Sequence, residues 1–235
     1  MGATKALRSP TPRRTPLPEV SLRYPTHRRF ALPAPRPASP GSALEVLNAR
    51  QSRRTFGPLS RAKLSEFLWH SARTRFSSRD NAGRLHESRP APSAGACHPH
   101  DLLIVQAKAR GLSAQLYDPR THALTDLRVD SRALRNLHQH VEQALAIGRG
   151  TLIWLVGHPP RTERYYESAE SLLWRDAGAL LAIMAIAAEA LDLSLCAVGM
   201  TGDRQIRRLF GARRGVRGFG GVILGTRRRD HARQS

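Results

Sequence analysis

Apolar and polar positions change their period several times along the chain, and each change marks an element. Leu44, Val46 and Leu47 predict a short helix that runs into Arg50-Gln51-Ser52-Arg53-Arg54 and stops before Gly57-Pro58. Ser60 then stands as the cap of a helix carrying Leu64, Phe67 and Leu68 at helical spacing, with Trp69 beside them. Residues 73–92 show no period and read as a polar, irregular loop that delivers Ser93. Leu102–Val105 and Ala114–Tyr117 predict two strands joined around Gly111, and Asp118-Pro119-Arg120 turns the chain into a third over Ala123–Leu127, a small antiparallel meander. From Ser131 to Ile147 the stripe Leu134, Leu137, Val141, Leu145 predicts a one-sided helix with His138 and Glu142 opposite. Leu152–Val156 is apolar without alternation, as in a central strand covered on both faces. The stretch from about Glu163 to Leu191 begins polar and becomes apolar on all sides from Ala177, so it is either a core spine or a dimer interface. A loop over residues 196–202, a basic helix around Ile206, Leu209 and Phe210, and a strand over residues 220–225 complete the series.

Composition separates the first forty residues from the rest. They hold nine of the 16 prolines and eight Lys or Arg against one acid, Glu19, so no regular element is expected to propagate there. The organisation read from this is a disordered basic Pro/Arg-rich arm over 1–42, one folded domain over 43–229 and a tail over 230–235. The formal net charge of +20 points by default to nucleic acid or an anionic surface, and about seven of those charges sit in the first forty residues. The arm has neither the apolar core of a secretory signal nor an unbroken amphipathic helix, and a cytoplasmic protein is expected. Ala177–Ala188 is shorter than a membrane span, so no membrane partner is expected. Cys97 and Cys196 read as reduced thiols.

Two segments carry candidate chemistry. Arg50, Ser52 and Arg54 alternate at a helix end, where guanidinium forks suit a phosphate; alone, the cluster reads first as a solvated basic turn. Pro92-Ser93-Ala94-Gly95-Ala96 offers small residues that allow close backbone approach to a flat ring or ribityl chain, against an ordinary loop-to-strand turn. No G-x-S-x-G elbow is present, so Ser93 is not a hydrolase nucleophile. Gly218-Phe219-Gly220-Gly221 lacks the third glycine of a dinucleotide fingerprint, because Ile223 occupies that place. Cys97-His98-Pro99-His100 and His138-Gln139-His140 are not completed by a second cluster, and no metal site is expected.

In order, these pieces resemble the flavin-dependent nitroreductase superfamily, specifically its SagB-type dehydrogenase branch, over about residues 43–226. Arg50–Phe56 is similar to that family's R-x-S-x-R-x-F run, Leu64–Trp69 to the helix ending in Leu-Trp, and Arg89–Pro99 to its R-x-x-P-S-A-G-A-x-x-P stretch. Gly111–Leu124 resembles its hairpin, Asp176-Ala177-Gly178 the opening of its long apolar helix, and Gly225 its last strand. The resemblance implies an α+β fold, a mixed and mostly antiparallel sheet flanked by helices, with the long apolar helix at a homodimer interface and FMN at each end of it. By that likeness Arg50, Ser52 and Arg54 would hold phosphate and ribityl chain with Gln51 alongside, and Arg227 would return to the phosphate. Pro92, Ser93, Ala94 and Gly95 would reach the flavin of the partner subunit, and Val198 and Gly199 would present backbone groups near the ring.

The implied activity is hydride transfer through flavin N5. Either NAD(P)H donates to a small aromatic or quinone, or a peptide-derived substrate donates and another acceptor reoxidises the flavin. Azoline oxidases of the branch carry a Lys-Tyr pair before the long helix, where this chain has Arg164 and Tyr165 as its candidate catalytic residues. Arginine keeps its proton in a protein, which excludes base catalysis at position 164, while Tyr165 can still take or give a proton. Two rivals remain from the sequence: a basic nucleic-acid-binding module, and a family member that keeps the fold as a biosynthetic scaffold without turnover.

Overall fold

In the computed structural model, which describes residues 8–35, 42–81, 83–211 and 215–227, an antiparallel sheet separates two helical layers. Its strands are β2 (Thr26–Ala31), β5 (His100–Lys108), β6 (Gly111–Asp118), β7 (Ala123–Leu127), β8 (Thr151–Gly157), β10 (Leu193–Val198) and β11 (Arg217–Thr226). They lie in the order β10-β11-β8-β5-β6-β7-β2, and each neighbouring pair runs antiparallel. The helices are α1 (Ala43–Ala49), α2 (Arg61–Ala72), α3 (Ser131–Ala144), the single turn α4 (Pro160–Glu163), α5 (Glu170–Ala190) and α6 (Asp203–Phe210).

Period-two alternation in β5 and β8 explains how one sheet serves two cores. Leu102, Ile104, Ile153 and Leu155 face α2 and α5, where Phe67, Leu68, Leu173 and Met184 close the first core. Leu103, Val105, Leu152, Trp154 and Val156 face α3 and α6 and pack with Leu137, Val141, Ile206 and Phe210. Strand β8 is buried from end to end, as its unbroken apolar run predicts. The α2 cap is also as expected, since Ser60 Oγ accepts from Lys63 N–H at 3.2 Å.

Several expectations are corrected. The segment 73–92 is not an irregular loop: Phe76–Arg79 (β3) and Leu85–Ser88 (β4) pair antiparallel, closed by Asp80, whose carboxylate accepts from Arg84 N–H at 2.9 Å, and by Gly83 at φ +75°. The helix expected from Glu163 begins only at Glu170. Pro160 opens the one-turn α4, Tyr166–Glu167 (β9) is extended, and Ser168 takes φ +51°, which no helix tolerates. Arg164 and Tyr165 therefore lie between α4 and β9, not on the first turn of a long helix. The loop expected from Cys196 starts later, because β10 runs to Val198 against β11.

The arm is also corrected where it is described. Between Pro25 and Pro33 the run Thr26–Ala31 has no proline, and it pairs with β7 as the outer strand of the sheet. Farther out, Thr11–Pro12 (β1) pairs with β9, and Arg13 N–H and Leu17 N–H donate to the carbonyls of Tyr165 and Arg164 at 2.8 and 2.9 Å. Residues 1–7 and 36–41 of the expected arm, and the expected tail at 230–235, lie outside the described residues.

Helix α5 buries Leu173, Ala177, Met184, Ala187 and Ala188 against the sheet. Although the second half of α5 is apolar on all sides, it is covered on that face only: Gly178, Ala182 and Ala190 are exposed. By length and composition α5 is also long and apolar enough to cross a membrane, although one face belongs to the core.

Candidate functional site

A cleft of about 340 Å³ runs along the C-terminal half of α5. One wall is the segment after α1, with Leu47, Arg50, Gln51 and Ser52; the other is α5 from Leu181 to Glu189; the floor is Leu193, Leu195 and Ala197 of β10. The segment is held at the sheet edge by Arg53 N–H, which donates to Leu195 O at 3.0 Å. The walls are mainly aliphatic, with Arg50, Gln51, Ser52 and Glu189 as their polar members, the usual make-up of a small-molecule pocket.

The arginines here divide into two kinds. Arg53 and Arg227 both end on Glu189, at 3.2 and 2.6 Å, and Arg227 also reaches Asp192 at 2.6 Å. Their Nε atoms are buried without a partner among the described residues. Arg50 and Arg54 are exposed and make no side-chain hydrogen bond or ion pair among the described residues. Of the residues anticipated for phosphate, the structure thus brings Arg50, Gln51 and Ser52 to the cleft. It leaves Arg54 free beside them and commits Arg227 to two carboxylates.

Strand alternation sorts the β10 residues. Val198 points into the core below α6, whereas Ala197 shares the cleft face with Leu193 and Leu195. Gly199, next on that alternation, is exposed, with nothing in the space a Cβ would take. Ala197 was missed by sequence reasoning, yet the two-residue period of Leu193 and Leu195 points to it. The α5 residues Leu181, Ala182, Ala185 and Ile186 also went unremarked, hidden in a run that is apolar on every side.

The turn Pro92–Gly95 sits at the other end of α5. Ser93 Oγ donates to Asp176 and accepts from His98 N–H at 2.9 Å, and Ala94 N–H donates to Asp176 Oδ1 at 3.1 Å. Ala96 N–H and Cys97 N–H return to the carbonyls of Ser93 and Ala94. Gly95 stands at φ +56°, and a Cβ there would lie 2.6 Å from Tyr166 Oη. Four of the five backbone donors from Ala94 to His98 are thus used within the protein, and what the turn presents outward is mainly the small apolar surface of Pro92, Ala94 and Gly95.

Behind the turn lies a smaller chamber of about 30 Å³, lined by Arg89, His98, His100, Asp101, Tyr117 and Asp176, with room for a water molecule or two. Most of its wall is apolar, with Ala72, Ala91, Pro99, Leu102 and Leu180 among its lining, but several buried charged and imidazole groups crowd around it. Burial alone would raise Glu87, but the Arg120 and Arg89 guanidiniums outweigh it and hold the carboxylate at about 2. Burial lowers His98 to about 4, with Arg89 adding to the shift, His100 to about 3 and nearby His158 to about 4. Burial raises Asp176 above the usual carboxylate range, opposed by its bonds from Ser93 and Ala94. Arg161 pairs with Asp101 through both oxygens at 2.6 and 2.9 Å.

Arg164 and Tyr165 reach neither cavity wall. Arg164 pairs with Glu19 at 3.0 Å, and the Tyr165 ring lies under the Arg84 guanidinium at 3.5 Å. Arg84 in turn donates to Gly95 O, so Tyr165 is linked to the turn through the β3–β4 hairpin. Cys97 and Cys196 are free thiols, and burial pushes Cys97 up to about 11. Among the described residues no three His, Cys, Asp or Glu groups are placed to share a metal ion.

The model of the Nitroreductase family matches residues 47–226. Among solved structures, a candidate nitroreductase from Ralstonia eutropha JMP134 superposes with a TM-score of 0.67 at 22% identity, covering 91% of this chain and 97% of that one. The E. coli microcin synthetase McbBCD complex with truncated pro-MccB17 bound gives 0.53 at 14% identity, covering 83% and 76%. A nitroreductase with bound FMN from Bacteroides fragilis NCTC 9343 gives 0.50 at 14% identity, covering 83% and 94%. At these identities the likeness is one of fold. No curated protein matches the chain.

Proposed function

The chain belongs to the nitroreductase family, and from that membership we infer that it is an FMN-dependent oxidoreductase whose cofactor lies in the cleft beside α5. The observation that carries this reading is Arg50, unpaired among the described residues, on the wall of a mainly aliphatic cleft of about 340 Å³. Such a cleft fits a phosphate-bearing flavin: Arg50 gives the phosphate a charge-assisted partner, Ser52 gives a hydroxyl, and Leu181, Ile186, Leu193 and Leu195 keep water from a flat ring. The buried, unpartnered Nε atoms of Arg53 and Arg227 agree with a cationic surrounding that has donors to spare. Similarity in fold to a nitroreductase with bound FMN supports the same assignment.

A second copy of the chain completes the site in this proposal. Gly178, Ala182 and Ile186, spaced by one helical turn, form an open face on α5, and Leu44 and Leu47 of α1 are exposed beside it. Two such helices packed antiparallel about a two-fold axis near Ala182 bring the Asp176 end of one copy to the Glu189 end of the other. The Pro92–Gly95 turn then faces the partner's cleft. The purified chain should accordingly sediment at twice 26.0 kDa.

FMN, when bound, supplies reversible acceptance of a hydride equivalent, and we assign NAD(P)H as donor and a small aromatic or quinone as acceptor. The SagB-type alternative, with a peptide-derived substrate, needs a base where this chain has Arg164, and arginine does not release its proton. Glu19 and the Leu17 amide already engage that residue. Protein purified from cells should be yellow, release FMN on denaturation, and bleach on mixing with NADH or NADPH in a stopped-flow cell. A colourless chain that takes up no added FMN removes the proposal. A yellow chain that neither nicotinamide reduces keeps the cofactor and removes the donor.

A further inference from the structure

The backbone from Gly95 to His98 is held in a conformation it would not choose. Gly95, Ala96 and His98 have φ of 56°, 53° and 42°, and for the two residues with a Cβ the left-handed region is sterically unfavourable. Internal bonds of a short turn do not secure such a shape, so neighbouring elements must impose it. Two do. From α5, Asp176 accepts both the Ser93 hydroxyl and the Ala94 amide, and Ser93 passes the restraint on to the His98 amide. From the β3–β4 hairpin, Arg84 donates to Gly95 O and, at 3.5 Å, to Cys97 Sγ, with its guanidinium stacked on Tyr165.

We propose that Asp176 is the positioning residue of the Pro92–His98 turn, gripping it from α5 while Arg84 holds its far side. The turn is thereby fixed to the helix that forms the proposed subunit boundary. The consequence for cofactor binding rests on the function proposed above, whereas the positioning itself does not. Asp176 touches no ligand in this account. It acts through Ser93 and Ala94, and its exposure of 7% leaves it little else to do.

Residue-resolved amide exchange on the full-length chain, paired with FMN titration, tests this. Asp176→Ala should speed exchange of the Ala94 and His98 amides about tenfold or more, leave the β8 amides as in the unmodified protein, and weaken FMN binding about tenfold. Asp176→Asn keeps an acceptor for Ala94 and should restore its protection and the FMN affinity to within about threefold. A general loss of stability would show no such rescue. Ser93→Ala should free the His98 amide alone and leave Ala94 protected, which keeps the idea testable if Asp176→Ala does not fold. Unchanged exchange at both amides in Asp176→Ala, or at the His98 amide in Ser93→Ala, overturns the positioning role. A loosened turn with unchanged FMN affinity upholds that role and instead takes the turn out of the flavin site.

Discussion

Around Asp176 the amides of Ala94, Ala96, Cys97 and His98 all end on acceptors inside the protein, while farther along α5, around the cleft, the side chains of Arg50 and Arg54 end on none among the described residues. The contrast is sharper still between neighbours in sequence: Arg53 lies against Glu189 and Arg54 points free. Composition does not distinguish these arginines. The bond from Arg53 N–H to Leu195 O does, because it fixes which residues of an extended segment face inward. A closed polar network serves shape, and an open one is where a ligand's charge can be met.

Acid should act on the closed end and produce the largest change. His98, His100 and His158 are lowered to about 4, 3 and 4 from 6.5. The unfolded chain therefore takes up protons between about pH 6.5 and 4 that the folded chain refuses, and stability falls as pH falls through that window. Glu87, held at about 2, adds a loss as pH drops from 4.5 toward that value. Denaturant melts at pH 7 and pH 4 should differ by on the order of 5 kcal/mol; a flat profile would mean that these imidazoles do not remain neutral. Next in size, Glu189→Ala leaves Arg53 and Arg227 facing each other without their shared acceptor and should cost about 3 kcal/mol in thermal or urea melts. A melt unchanged by it would show that the two arginines find other partners.

At the open end the effect should fall on ligand rather than on folding. Arg50→Ala is expected to weaken FMN binding by about 2 kcal/mol in fluorescence titration while the melt of the flavin-free chain moves by less than about 0.5 kcal/mol. Equal losses in both would erase the distinction between the two kinds of arginine. Smallest of all, Arg164→Ala removes a pair whose Glu19 end is exposed and should change stability by under about 1 kcal/mol. NADH oxidation should survive it; loss of turnover would restore Arg164 to the chemistry.

Much of this frame can be read before folding is considered. Leu152–Val156 announces a strand covered on both sides, and Ser60 announces the start of α2, because burial and capping act through local sequence. The β3–β4 hairpin was missed because its strands are polar and alternate nothing; only Asp80 and Gly83 signal its turn. The α5 boundary was misplaced because Ser168 breaks the helix through tertiary pairing of β9 with β1, which no window of sequence contains. For the site, the alternation of Arg50 and Ser52 led to the cleft, and the alternation of β10 after Leu193 and Leu195 would have added Ala197 to its floor. The hydroxyl of Ser93 finds Asp176 across 83 positions of chain, a partnership that local pattern does not reveal.

The pairing of Thr26–Ala31 with β7 bears on how the molecule can be trimmed. Cutting at residue 43, where composition shifts, would take away that outermost strand and bare the N–H and C=O ladder of β7, the template on which sheets of separate molecules zip together. It would also strip Glu19 from Arg164 and the backbone cover from Tyr165. A shortened polypeptide of that kind should come out of solution as aggregate, however intact its cleft.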